Sequence, residues 1–353
     1  MHARTHTRTH ARTHTHTHTH TRTHTHTHAH AGRQAELRMR ACVHASIHPC
    51  RRWLGLGCMC MDMHPHTHAP IHPYTHPSPM HPYTHTCTPM HPYTHAGAGS
   101  AGLGAAALLI HEAGVPASQV FMTNSRGLIW KSADGSSGSF RNEQQKAFAQ
   151  VGEPDFDSKD LVTCISRLKP TCLIGAVGRA PGCFDKAVIT ELCKVNGDAR
   201  PVVFALSNPK TQAEITADDA YAWSEGKAIY GSGTAFGTTV LNGVSHSPGQ
   251  VNNFYIFPGM SFGAVACDAK TIPERLFMIS ADAVANSLSS DDIKVSSVMP
   301  DRNRIRDVSL NVATAIVLEA TKLNLCNKPL GSTDGEVRAK LSELMWAPKA
   351  VTA

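Results

Sequence analysis

No run of about eighteen apolar residues occurs in the 353-residue chain, so no membrane-spanning helix and no membrane partner are expected. Lysine is missing altogether from residues 1–95, acids there are limited to Glu36 and Asp62, and large aliphatic side chains are scarce. Beyond residue 95 it is histidine that runs short: of 24 in the chain only His111 and His246 lie there. Taking the nine arginines and two acids of the head from the totals of 33 and 27 leaves 24 basic and 25 acidic residues in 96–353. The apparent basicity therefore belongs to the head. The body is near neutral and shows no electrostatic footprint for nucleic acid.

A cysteine framework is also lacking. Cys164, Cys172, Cys183, Cys193 and Cys267 sit in apolar or helical-looking stretches, as reduced, buried thiols of an intracellular protein would. Cys58 and Cys60 are too close together for the usual zinc spacing and have no second pair. The compartment, mitochondrial or cytoplasmic, stays open.

What the head does contain is repetition. Thr and His alternate through the first thirty residues, and HPYTHPSPM, HPYTHTCTPM and HPYTHAGAG follow at a period of nine or ten. Neither a 3.6-residue nor a two-residue apolar period is present, so residues 1–95 are expected to be disordered, unable to offset chain entropy by burial. Clustered histidines would take up Zn, Ni or Cu loosely. A transit peptide needs an apolar helical face that Thr-His alternation does not supply. The peptide is also what a CA dinucleotide repeat encodes in frame, which makes a translated microsatellite or a misplaced gene start the favoured origin.

Directly after the last repeat comes GAGSAGLGAAALLIHEAGVP, in which Gly97, Gly99 and Gly102 form G-x-G-x-x-G. Such spacing gives a tight turn, a backbone open to a pyrophosphate and a close helix–strand contact, with helix N–H groups facing the phosphates. Leu103, Ala106, Ala107 and Ile110 would form the helix's apolar side. A strand over Gln119–Thr123 ends at Asn124, where the ribose-binding acid of such sites is expected; Asn124 can still bond a ribose hydroxyl, and Arg126 could meet a 2′-phosphate. The choice between NAD and NADP stays open. Before the glycines, where an apolar strand belongs, stands HPYTH, so the first strand is expected to be missing.

From residue 100 onward helices and strands alternate. Leu161–Lys169 reads as a helix stopped by Pro170, Thr171–Gly178 as a strand entering a glycine turn, Phe184–Val195 as a helix and Pro201–Pro209 as a strand. A helix over Ala217–Glu225 then leads into KAIYGSG. This order predicts an α/β fold, a Rossmann-like, doubly wound, mostly parallel sheet with flanking helices and ligands at the strands' carboxyl ends. Two stripes, Phe277–Ala281–Val284–Leu288 and Ile305–Val308–Val312–Ile316, predict core-facing helices.

The stretches GAGSAGLG, NSRGLIW, LKPTCLIGAVG, PVVFALSNP, PGQVNNFYIFPG and RIRDVSLNVA together resemble the carboxyl-terminal, NAD-binding half of the malic enzymes, in that family's order. The resemblance implies oxidative decarboxylation of L-malate to pyruvate and CO2, with NAD or NADP taking the hydride and Mg2+ or Mn2+ assisting. It matches Gly97, Gly99, Ser100 and Ala101 to the dinucleotide turn and Gly175, Ala176, Val177 and Gly178 to a second cofactor turn. Asn208 would touch malate and nicotinamide, and Asn252 and Asn253 the substrate. A carboxamide suits this, donating to a carboxylate and accepting from the nicotinamide amide without adding charge. Read without the family, Asn208 is a cap or turn before Pro209, and Asn252-Asn253 a plain turn.

Two departures stand out: Asn124 where the family usually has an acid, and SGTAF at Ser232–Phe236 where Ser-Gly-Ser-Pro-Phe is common. A third is larger. The family's tyrosine and lysine acid–base pair, its malate-binding arginine and its metal carboxylates precede the glycine fingerprint, where this chain has repeat. Tyr74, Tyr83 and Tyr93 match no family motif. The expected organisation is a low-complexity head at 1–95, a cofactor domain at 96–326 and a short helical tail at 327–353. No catalytic or metal residue is expected in the chain, which should be inactive alone, although the intact enzyme would be a homo-oligomer. Alternatives are an inactive truncated protein that binds dinucleotide or pairs with a full-length subunit, and a His-rich metal-binding protein.

Overall fold

The computed structural model describes residues 93–347. The repeat head through residue 92, including Cys58, Cys60, Tyr74 and Tyr83, lies outside the described residues, as do 348–353. The strands are β1 (Tyr93–Ala96), β2 (Val120–Asn124), β3 (Gly127–Leu128), β4 (Trp130–Lys131), β5 (Gln150–Val151), β6 (Cys172–Gly175), β7 (Val202–Ala205), β8 (Ile229–Ser232), β9 (Thr239–Leu241) and β10 (Val244–His246). Six of them form one sheet in the order β3-β2-β1-β6-β7-β8. Every neighbouring pair is parallel except β2–β3, a short antiparallel return at the rim. β4 pairs with β5, and β9 with β10, outside it.

The sequence explains the middle of this sheet directly. CLIG, VVFA and IYGS in β6, β7 and β8 are buried at every position, the continuous apolar pattern of strands covered on both faces. One cover is made by the helices Leu161–Leu168, Lys186–Asn196 and Ala217–Trp223, which press Ile165, Ile189, Leu192 and Tyr221 onto Leu173, Val203 and Tyr230. Each begins on a side-chain cap: Asp160, Asp185 and Thr216 accept from backbone N–H groups of the first turn. The first ends at Lys169 in the left-handed region (φ 49), just before Pro170.

The opposite face carries Met122, Ile174 and Phe204 against the helices Ser100–His111, Phe257–Ala266, Glu274–Asn286 and Ile305–Lys322. Both tail stripes do line the core: Ala281, Val284, Val308, Val312 and Ile316 are buried, with Phe277, Leu288 and Ile305 packed beside them. A last helix, Asp334–Leu344, starts on a capping box of Thr333 and Glu336 and buries Val337 and Leu341 in the same core. In the Ser100–His111 helix the buried set is Gly102, Ala105, Ala106, Leu108 and Leu109. The expected stripe through Leu103, Ala107 and Ile110 is only half-buried, because this helix is apolar nearly all round and its composition does not single out the face that packs.

The expectation of a missing first strand is corrected. β1 is present, and it is central: Tyr93–Ala96 pairs in parallel with Val120–Thr123 on one side and Cys172–Gly175 on the other. Parallel pairing is made by backbone groups, so a segment without an apolar run can occupy the position. Its cost shows at Thr94, which is fully buried with an Oγ1 that has no hydrogen-bond partner among the described residues.

Two outcomes follow from buried polar groups. Thr94→Val removes the unpaired hydroxyl at nearly constant shape and should raise unfolding stability by about 1 kcal/mol, read from the denaturant midpoint. His246 is buried, stacked on Tyr221 with ring centroids 4.4 Å apart, and its Nδ1 has no partner among the described residues. Burial, helped by the charge of Arg200, lowers its pKa below the ordinary histidine value. The folded state thus binds its proton less readily than the unfolded chain, so this contribution to stability is present above about pH 6.5 and is lost as pH falls below it. His246→Phe should flatten the fall in stability between about pH 7 and pH 5.

Candidate functional site

Parallel strands that depart in opposite directions leave a crevice at their carboxyl ends, here between β1 and β6, since β1 continues to β2 on one side while β6 leads to β7 and β8 on the other. Both glycine turns lie there. Gly97 leaves β1 with φ +114, and a Cβ on it would stand 2.6 Å from the carbonyl oxygen of Ala176 in the second turn. Only glycine permits that contact. A Cβ on Gly102 would fall onto the Gly97 carbonyl oxygen, which is why the helix can start immediately beneath its own turn. Gly99 is different: nothing lies within 4 Å of a Cβ there, and Gly99 and Ser100 are exposed. Gly99 caps the Ser100–His111 helix without a side-chain hydrogen bond, so the first N–H groups of twelve helical residues face this open space. That is the cradle a pyrophosphate requires, and Gly97, Gly99, Ser100, Ala101 and Gly102 fit a dinucleotide.

At the end of β2 Asn124 is committed internally. Its Nδ2 donates to Ser139 O and Gln145 Oε1, both at 3.0 Å, and its Oδ1 accepts from Arg126 N at 2.7 Å. One oxygen lone pair is left for a ribose. Gln145, which sequence reading passed over, is buried and ties this strand end to the first turn, its Nε2 donating to Ala98 O at 3.0 Å. Arg126 is exposed, and close by the Arg141 Nη2 donates to Ser125 Oγ. Two guanidinium groups thus flank the segment after β2, with no carboxylate at its end.

The second turn, Gly175 to Gly178, is bound to the end of β7. Val177 N donates to Glu214 Oε1 at 3.0 Å, and Gly178 N donates to Ser207 Oγ at 2.8 Å. Those two N–H groups are therefore spent within the protein, and the turn offers a ligand its surface and carbonyls. Gly175 is needed for a further reason: a Cβ there would meet the Glu214 Cγ at 2.6 Å.

Asn208 is exposed at the end of this same strand and begins a cis peptide bond to Pro209. The following turn of helix, Lys210–Gln212, takes Pro209 at its cap with no side-chain bond. Continuing along the edge, Ser232 bridges to Gln250, Val251 N donates to Ser232 O at 2.7 Å, and the chain arrives at the asparagine pair. Asn252 is the cap of the turn Asn253–Tyr255, its Oδ1 accepting from Phe254 N at 3.1 Å. The half-buried Asn253 makes no side-chain hydrogen bond to another described residue. Asn124, Gly97, Gly175, Asn208 and the Asn252-Asn253 pair thus follow one another along a single carboxyl edge.

Among the described residues no group of three or more His, Cys, Asp or Glu could hold a metal ion. Nor is any helix there long and apolar enough to cross a membrane. All six described cysteines are free; burial pushes the Cys164 thiol up to about 11 and Cys183 up to about 12, so neither suits nucleophilic work.

A glycine turn on a central strand of a doubly wound parallel sheet is the form of a dinucleotide-binding domain. The family model described as "Malic enzyme, NAD binding domain" matches residues 84–321, and the chain belongs to that family. It is 36% identical over 232 residues to the human NADP-dependent malic enzyme, covering 64% of this chain and 39% of that protein. The mitochondrial NADP-dependent malic enzyme of Mus musculus is 34% identical over 260 residues, 71% of this chain and 41% of its own length. The chain thus spans about two-fifths of the curated relatives it matches. The malic enzyme structures of Entamoeba histolytica (TM-score 0.54, 18% identity, 71% of this chain and 46% of that one) and Pyrococcus horikoshii (0.51, 19%, 71% and 52%) share the fold.

Substitutions at the two nearer glycines should separate fold from ligand. Gly102→Ala forces a carbonyl clash and should cost about 1–3 kcal/mol of stability. Gly99→Ala points into open space, should cost under about 1 kcal/mol, and should abolish measurable dinucleotide binding by filling the cradle. Denaturant unfolding and calorimetric titration with NADPH read the two effects.

Proposed function

We propose that this chain is the cofactor-binding portion of an enzyme that oxidatively decarboxylates L-malate to pyruvate and CO2, and that NADP, in preference to NAD, takes the hydride. The single observation that carries the reading is the joining of the two glycine turns and the asparagine-bearing strand ends along one carboxyl edge. The relatives' names supply the substrate and the nucleotide. Preference for NADP rests on Arg126 and Arg141 beside the end of β2 and on the neutral Asn124 in place of an acid, which would repel a 2′-phosphate.

In this reading the cradle at Gly99 and Ser100 holds the pyrophosphate, the β6 turn supports the nicotinamide ribose, and Asn208 with Asn253 orients malate through carboxamide hydrogen bonds. Removal of the hydroxyl proton needs a base, and loss of CO2 needs a cation or acid to stabilise the enolate. In this reading those groups come from outside the described residues, among which no group of three or more His, Cys, Asp or Glu could hold a metal ion. Alone, the chain binds and positions; homo-oligomerisation and turnover belong to the intact enzyme.

Two measurements test this. The purified full chain should bind NADPH yet form no NADPH from malate and NADP+ with Mg2+ or Mn2+; sustained turnover would refute the inactivity. Arg126→Ala should weaken NADP+ binding about 10- to 100-fold, the worth of a charge-assisted contact, and leave NAD+ binding within about twofold. Equal loss for both nucleotides would rule out a 2′-phosphate contact.

A further inference from the structure

Glu214 is fully buried, forms no ion pair among the described residues, and has no role in the reading above. It lies just beyond the Lys210–Gln212 turn, where its carbonyl oxygen accepts from Phe184 N at 3.0 Å. Its carboxylate reaches back beneath Gly175, possible only because that residue has no Cβ. There it accepts from Val177 N at 3.0 Å, from Ser207 N at 3.3 Å and from the Ser207 hydroxyl, which itself accepts from Gly178 N at 2.8 Å. One side chain thereby clamps together the turns after β6 and β7, the two strand ends that meet the nicotinamide side of a bound dinucleotide in the proposed function, on which this inference rests. Both carboxylate oxygens accept there, so a neutral amide would leave one of these donors facing an N–H. A carboxylate adds a negative charge in a poorly screened place, beneath the turn that supports the nicotinamide ribose in the proposed function. Oxidised nicotinamide carries a positive charge and reduced nicotinamide does not.

We propose that Glu214 is a positioning residue for the nicotinamide end of the dinucleotide, locking the β6 and β7 turns together through Ser207 and biasing the site towards the oxidised, cationic ring. The test uses the full chain, titrated calorimetrically with NADP+ and with NADPH, and thermal melts of each variant. Glu214→Gln removes the charge and also sets a donor against the Ser207 N–H, a loss common to both nucleotides; beyond that shared loss, NADP+ binding should weaken about tenfold more than NADPH binding. Ser207→Ala keeps the charge and breaks the clamp; both nucleotides should weaken by the same factor. An E214Q protein that melts like wild type and changes both affinities equally, or neither, overturns the inference while leaving the proposed function standing. Wild-type protein that binds neither nucleotide overturns the proposed function and this inference with it. If E214Q does not fold, S207A decides: equal loss of both affinities supports the clamp, and wild-type affinities overturn it.

Discussion

The whole site depends on one close approach, the Gly97 backbone lying against the Ala176 carbonyl where β1 and β6 part. Parallel strands are about 4.8 Å apart, and the turns that leave them normally diverge to accommodate side chains. Here a positive φ and a missing Cβ let the first turn fold over the second. The strand ends to either side then fall into place along one edge. Any side chain at 97 would push the turns apart and separate the pyrophosphate cradle from the nicotinamide side.

Polar side chains hold that geometry from behind. Gln145 joins the first turn to the end of β2, and Glu214 with Ser207 joins the second turn to the end of β7. All of these are buried, so each bond is poorly exposed to competition from water and each unmade bond would be costly. The floor of the crevice is therefore a rigid polar lattice, while its ligand-facing surface at Gly99 and Ser100 remains open. Binding needs little ordering under these conditions.

Much of the fold was legible because its signals are local. Runs such as VVFA, caps such as Asp160 and Asp185, and the stop at Lys169-Pro170 each write one element into a few adjacent residues. Family resemblance located the glycine turns and the asparagines. Three things were not legible. Gln145 and Glu214 act across 47 and 37 residues, and isolated polar residues leave no period to detect. Asn124 stood at the spacing of a ribose ligand, but its amide is largely consumed by neighbours that approach only in the fold. β1 carried no apolar run, since backbone pairing on both sides places it there without one. The organisation into head, cofactor domain and tail remains a proposal, resting on composition for the head and on family resemblance for the cofactor domain.

Strand β1 has a mechanical consequence. Sheets ordinarily loosen from the rim inward, because outer strands have one neighbour and inner ones two. This sheet buries an unpaired hydroxyl, that of Thr94, on the strand that joins β2 and β3 to β6, β7 and β8. A weak point of the sheet therefore lies in its middle and not only at its rim. A fluctuation that frees β1 would part the two wings of the sheet as intact pieces, and the crevice between them would be the first feature to dissolve.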